Sequence, residues 1–200
     1  MNDSVHRRTS FLLEVEQLKA VLRKNTPVGL TRNENAAEHS WHTTLAAMLF
    51  AEGTPVAIDV PTVLRMLLIH DIVEVDAGDV IIFDEAAREA NEAVERAAAE
   101  RLFGMLPDTQ GQELKRLWET FEAGETPEAQ FAKAADRIMP VLQNLEQQGG
   151  SWVEHGISRA QVLAKVECIA TVCPDLWRDL ESRLRNATFW DEAEIGRAHV

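Results

Sequence analysis

Apolar side chains recur every three to four residues along most of this 200-residue chain, and no stretch alternates apolar and polar residues for the length of a strand. A 3.6-residue apolar period cannot present one face of a sheet, so the pattern restricts the chain to packed helices and an all-α fold. The first predicted helix covers about Ser10 to Arg23, with Phe11, Val15, Leu18 and Leu22 on one side. Thr26-Pro27-Val28-Gly29 breaks it. Asn35, with Glu38 three residues on, has the form of a capping box for a second helix, which ends near Gly53-Thr54-Pro55. Asp59-Val60-Pro61 opens a third helix that ends near His70-Asp71, and Ala77-Gly78-Asp79 reads as a loop. An Ala/Glu-rich helix is expected from about Glu85 to Met105, and another from about Gln110 to Glu122. Thr126-Pro127-Glu128 starts the helix that carries Asp136, and one last long helix is expected from about Ser158 to Arg185. Pro140 would clash with the carbonyl of Asp136, so a bend is expected there.

Composition narrows the function. The hydrophobic fraction of 46% and the length suit one globular domain, taken as residues 1–193. A net charge of −13 argues against a nucleic-acid-binding surface, though not against a small phosphorylated substrate. No run of about 18 apolar residues exists, so no membrane span is expected. Met1 to Arg8 lacks the apolar core of a signal peptide, and the only cysteines, Cys168 and Cys173, read as free thiols. These features point to the cytoplasm. The tail Glu194-Ile195-Gly196-Arg197-Ala198-His199-Val200 is similar to the translation of a DNA-sequencing adapter. Residues 194–200 are therefore set aside as a non-native tail, and His199 is excluded from any site.

Within this helical frame the polar residues that break the apolar pattern stand out. His70 and Asp71 end the apolar run Val63 to Ile69. His39 lies upstream, and Asp136 lies in the small-residue stretch Ala132 to Ala135 and beyond. A lone histidine on an apolar helix is usually a core residue that has found a hydrogen-bond partner. Two imidazoles and two carboxylates together form a workable ligand set for one divalent ion. His42 shares the side of His39 and is read as a packing residue. Glu74 and Asp79 are either solvated loop carboxylates or catalytic groups. Their place just after His70-Asp71 favours the second reading.

The order His39 … His70-Asp71 … Asp136 resembles the HD superfamily of metal-dependent phosphohydrolases. Further stretches sharpen the likeness to the short HD-domain 5′-deoxynucleotidases, the YfbR-like group. They are Leu18-Lys19 to Arg23, Asn35-Ala36-Ala37-Glu38-His39-Ser40, His70-Asp71-Ile72-Val73-Glu74 with Gly78-Asp79, Leu117-Trp118-Glu119, and Ala129 to Asp136. The resemblance spans roughly residues 10 to 180.

The resemblance implies an all-α HD-domain helical bundle, a homodimer, and hydrolysis of 2′-deoxynucleoside 5′-monophosphates. By likeness, His39, His70, Asp71 and Asp136 hold one divalent ion of cobalt, manganese, magnesium, zinc or iron. Glu74 orients or deprotonates the attacking water, Asp79 binds the sugar 3′-hydroxyl, and Arg23 contacts the phosphate. On charge alone, Lys133 and Arg32 are additional phosphate partners. No histidine falls between Asp71 and Asp136, which fits a one-metal site. Some relatives carry a tryptophan soon after the arginine. Here Lys24-Asn25-Thr26 stand there, so weaker exclusion of ribonucleotides is expected. The alternatives are an HD phosphohydrolase acting on another nucleotide, such as a triphosphate, and a non-catalytic metal-containing module.

Overall fold

The computed structural model describes residues 3–190; the boundary at residue 193 and the tail lie outside the described residues. All regular structure among the described residues is helical. The first helix, α1, runs Asp3–Glu14, earlier than its apolar spacing predicts, and tightens into a 3₁₀ turn over Val15–Ala20. Residues 21–35 then form a hairpin-like loop. Arg23 N–H donates to the Glu34 carbonyl (2.8 Å) and Glu34 N–H to the Asn25 carbonyl (2.8 Å). The expected break at residues 26–29 is the tip of this loop, with Gly29 at φ 79°.

Helix α2 runs Ala36–Phe50, and its capping box is present as expected: Asn35 accepts from Glu38 N–H, and the Glu38 side chain accepts from Asn35 N–H. Helix α3, Val60–Ile69, begins on the Asp59 side chain, which accepts from Thr62 N–H. It runs on into a 3₁₀ turn, His70–Val73, and the short α4, Glu74–Ala77. Gly78, at φ 73°, ends that segment. Helices α5 (Glu85–Gly104), α6 (Asp108–Ala123) and α7 (Pro127–Glu146) lie close to their expected bounds, and α7 continues through Pro140.

One further helix is present, and one expectation needs correction. Gly149 to His155 contains a short helix, α8 (Gly150–Glu154), which the glycine pair conceals. The single long C-terminal helix is instead three: α9 (Arg159–Val166), α10 (Cys168–Val172) and α11 (Pro174–Asn186). Pro174 has no N–H to continue a helix and pushes Cys173 out of the helical region, to φ −140°, ψ 68°. Amphipathic spacing persists across that break, which is why it reads as one helix.

Two groups of buried side chains make the core. One gathers α2, α3, α7 and the C-terminal helices around Met66, Leu67, Phe131, Ile138 and Trp190. The other joins α1, α5 and α6 around Phe11, Leu102, Phe103 and Trp118. They adjoin along α2, which gives Ala36 to the second and Ala46 and Ala47 to the first. Alanines 129, 132, 134 and 135 are fully buried on α7 and let α2 pack closely against it. That contact brings His39 to Asp136.

Candidate metal centre and cleft

His39 is wholly buried on α2, His70 is buried where α3 ends, and Asp136 lies on α7. Their ligand atoms all lie within 4.8 Å of one another. Asp136 Oδ1 is 2.6 Å from His39 Nε2 and 3.3 Å from His70 Nε2. Asp71 stands beside this trio: Oδ1 is 3.0 Å from His70 Nε2, and Oδ2 is 4.0 Å from His39 Nε2. These residues come from two helices, α2 and α7, and from the 3₁₀ turn that follows α3, and the fold brings all four together.

The donor set fits a divalent cation on two grounds. His70 Nδ1 lies 2.8 Å from the Leu67 carbonyl, which makes Nδ1 the donor and leaves Nε2 as a bare acceptor. That Nε2 is buried and has no hydrogen-bond partner. The charge balance points the same way. Glu34, Asp71, Glu74, Asp79 and Asp136 surround one fixed cation, Arg23, so with neutral imidazoles five negative charges less one leave a net −4. A buried excess of that size calls for a counter-ion.

The metal-free protein compensates by holding protons. Burial and the Arg23 charge push the His39 imidazole down, but the Asp136 and Glu34 carboxylates beside its two nitrogens prevail and hold it up at about 9. Burial pushes Asp136 up, yet its hydrogen bond to His39 and the nearby His70 imidazole hold it well below the usual carboxylate range. Burial, with Asp71 close by, drives Glu74 well above that range in spite of Arg23. Asp79 is raised by burial, with Arg23 opposing.

Arg23 reaches this cluster from the loop before α2. Its Nη1 lies 3.1 Å from Asp71, 3.4 Å from Asp79 and 3.8 Å from Glu74. Arg23, His70, Asp71, Glu74, Asp79 and Asp136 line one cleft of about 950 Å³, and His39 and Glu34 are not in its lining. Lys133 lines it too, with Nζ 4.8 Å above the Phe121 ring and 3.4 Å from Glu122. Phe121 in turn meets the His70 ring edge-on at 5.1 Å. Lys24 and Asn25, the residues that follow Arg23 in the chain, line the cleft with it, and the aromatic part of the lining comes from Phe83, Trp118, Phe121 and Trp152.

Arg32 is not brought to the cluster. Its guanidinium is exposed and held in a fork by both Glu38 oxygens, at 2.6 and 2.8 Å, a surface pairing that charge counting could not foresee. His42 also lies apart, stacked on Trp41 at 5.2 Å. The sequence reading missed Glu34. It lies in the polar run Arg32-Asn33-Glu34-Asn35, which looks solvated, yet the residue is only 2% exposed. Its backbone pairing with Arg23 and Asn25 carries no sequence signal.

The helical fold and this cluster define the class. The chain belongs to the HD domain family, whose model matches residues 15–177. Among curated proteins it is similar to the 5′-deoxynucleotidase HDDC2 of Xenopus laevis, 33% identical over 68% of this chain and 67% of that protein. The human protein of the same name is 29% identical over 76% of this chain and 72% of its own length. Among solved structures it is similar to a predicted metal-dependent phosphohydrolase from Magnetospirillum magnetotacticum MS-1, with a TM-score of 0.86 and 42% identity over 93% of this chain and 96% of that one.

Proposed function

We propose that this protein is a metal-dependent phosphohydrolase that removes phosphate from 2′-deoxynucleoside 5′-monophosphates. The observation that carries the reading is the buried His39, His70 and Asp136 cluster, with Arg23 and Glu74 beside it in one cleft. The similar proteins named above act or are described in the same sense.

His39, His70, Asp71 and Asp136 would hold one divalent ion. When bound, the ion lowers the pKa of a water and offsets charge on the phosphoryl group. The Arg23 fork pairs with phosphate oxygens, a geometry a lysine point charge cannot match, and Lys133 adds charge from the cleft wall. Glu74 Oε2 is buried and has no partner, so it is free to take a proton from the attacking water. Water oxygen adds to phosphorus as the bond to O5′ breaks, and the proton taken up by Glu74 is returned to O5′ to give the nucleoside 5′-hydroxyl. Asp79, 3.4 Å from Arg23, accepts from the sugar 3′-hydroxyl.

Residues 1–193 would act as one unit, since both cores contribute to the cleft wall through Phe121 and Trp118. We also propose a homodimer. Helix α2 has one side in the core, and Trp41, Leu45, Met48 and Leu49 form an apolar stripe on another, with Trp41 63% and Leu49 69% exposed. A second copy of the chain, offering the same stripe, would cover it. No helix among the described residues is long and apolar enough to cross a membrane. With two free thiols, a reducing cytoplasm is the fitting compartment. The net charge of −13 fits a small substrate better than a nucleic acid.

A phosphate-release screen of nucleoside mono-, di- and triphosphates with Co²⁺, Mn²⁺, Mg²⁺, Zn²⁺ and Fe²⁺ tests the reading. Deoxynucleoside monophosphates should be preferred, and preferred release from triphosphates would replace it with the alternative substrate class. Glu74→Ala should keep metal and fold but lose ~10²–10⁴-fold in kcat. If it loses metal as Asp71→Ala does, Glu74 is itself a ligand.

A further inference from the structure

One buried carboxylate is used by none of these steps. Glu34 is 2% exposed and sits between the two halves of the site. Its Oε1 accepts a 2.7 Å hydrogen bond from Gln143 Nε2 on α7, the helix that carries Asp136. Its Oε2 faces two donors, His39 Nδ1 at 3.5 Å and Arg23 Nε at 3.9 Å. Oε2 and Arg23 Nε both lack a hydrogen-bond partner. A buried carboxylate oxygen and a buried guanidinium N–H without partners are each costly, so their juxtaposition needs a reason. The backbone enforces it, because Arg23 and Glu34 are paired main chain to main chain at 2.8 Å.

We infer that Glu34 is a positioning residue that sets the metal ligand His39 and the phosphate-binding Arg23 at once. A histidine can ligate through Nε2 only with its proton on Nδ1, and that proton needs an acceptor. Other than Glu34, the only acceptor near Nδ1 among the described residues is the Thr43 hydroxyl, at 3.5 Å. Glu34 is thus the group that turns Nε2 of His39 toward Asp136 and His70. The same oxygen restrains the Nε edge of Arg23, so that Nη1 is the edge presented to Asp71 and the cleft. Gln143 locks the carboxylate to α7, which makes the spacing of ligand and phosphate fork a property of one buried bond.

The inference rests on the ligand role proposed for His39, and the test separates the two. Co²⁺ affinity is measured by competition with a chelator, alongside kcat and KM for one deoxynucleoside monophosphate. Wild-type protein that binds no Co²⁺ would refute the ligand reading itself. Given wild-type binding, Glu34→Ala should lose ~10–100-fold in Co²⁺ affinity, the usual effect of removing the partner of a ligating histidine. It should also raise KM. Glu34→Gln keeps an acceptor for Nδ1–H but brings no charge to Arg23. It should bind Co²⁺ nearly as well as wild type while KM stays raised. A role confined to packing would lower thermal stability without that split. In Zn²⁺-loaded protein the His39 Nδ1–H proton should give a resolved downfield NMR signal that Glu34→Ala abolishes. Folded Glu34→Ala with wild-type Co²⁺ affinity overturns the inference. If Glu34→Ala does not fold, Glu34→Gln and Gln143→Ala decide it. Unchanged KM in the first and unchanged Co²⁺ affinity in the second overturn it equally.

Discussion

Asp136→Asn removes one charge from the centre of the site while keeping its size, and its effect on the metal-free protein should depend on pH in a calculable way. Asp136 Oδ1 lies 2.6 Å from His39 Nε2 and, together with Glu34, holds that imidazole at about 9 rather than 6.5, against burial and Arg23. A group that binds its proton more tightly when folded stabilises the fold fully below its unfolded pKa. The contribution is lost as pH rises through the folded pKa. At 1.36 kcal/mol per unit, the gap amounts to ~3 kcal/mol at pH 6, ~2.5 kcal/mol at pH 7 and ~0.4 kcal/mol at pH 9. Counting the His39–Asp136 pair once, on the histidine side, avoids adding the same interaction twice. Loss of the uncharged part of the hydrogen bond adds ~1 kcal/mol at every pH. Chelator-treated wild type and Asp136→Asn can be unfolded in urea from pH 6 to 9, followed by tryptophan fluorescence. The variant should be less stable by ~4 kcal/mol at pH 6 and by only ~1.5 kcal/mol at pH 9. A stability difference that does not change with pH would refute the electrostatic account of the cluster.

Asp79 is expected to accept from a sugar hydroxyl, so a 2′,3′-dideoxynucleotide should lose ~10–10²-fold in kcat/KM against its deoxy counterpart, and equal values would remove that role. The ribonucleotide should be hydrolysed as well, because Lys24 and Asn25 put no aromatic beside Arg23; complete rejection would mean that another residue excludes the 2′-hydroxyl. Burial pushes the Cys173 thiol up to about 11, so at pH 8 it stays protonated. Iodoacetamide should therefore alkylate the half-buried Cys168 in native protein and reach Cys173 only in denaturant. Leu49→Glu on the exposed stripe of α2 should give a monomer in light scattering while leaving the fold intact, and an unchanged mass would place the dimer contact elsewhere.

The residues proposed to hold the metal stood out in the sequence because they violate a pattern. A histidine and an aspartate at the end of Val63 to Ile69, and an aspartate among alanines on α7, have no reason to interrupt apolar helix faces unless something pairs with them. Caps were legible for a similar reason: Asn35, Asp59 and Thr126 each satisfy backbone N–H groups within three residues of themselves. The C-terminal helices misled because spacing reports which face is buried, not whether the backbone is continuous through Cys173-Pro174.

By itself, then, the sequence determined the helical class, most helix starts and the identity of the groups able to hold a metal, since propensity, capping and apolar period act over a few residues. Only the tertiary structure decided which charges meet. Arg23 and Arg32 lie in the same loop and look equivalent, yet one enters the cleft and the other is forked to Glu38 at the surface. Glu34 and Glu38 are both near the start of α2, but one is buried against His39 and Arg23 and the other exposed. Those outcomes depend on backbone pairing across the loop and on Gln143, 109 residues away. A local pattern carries no record of so distant a contact, because its free energy exists only once both segments are packed.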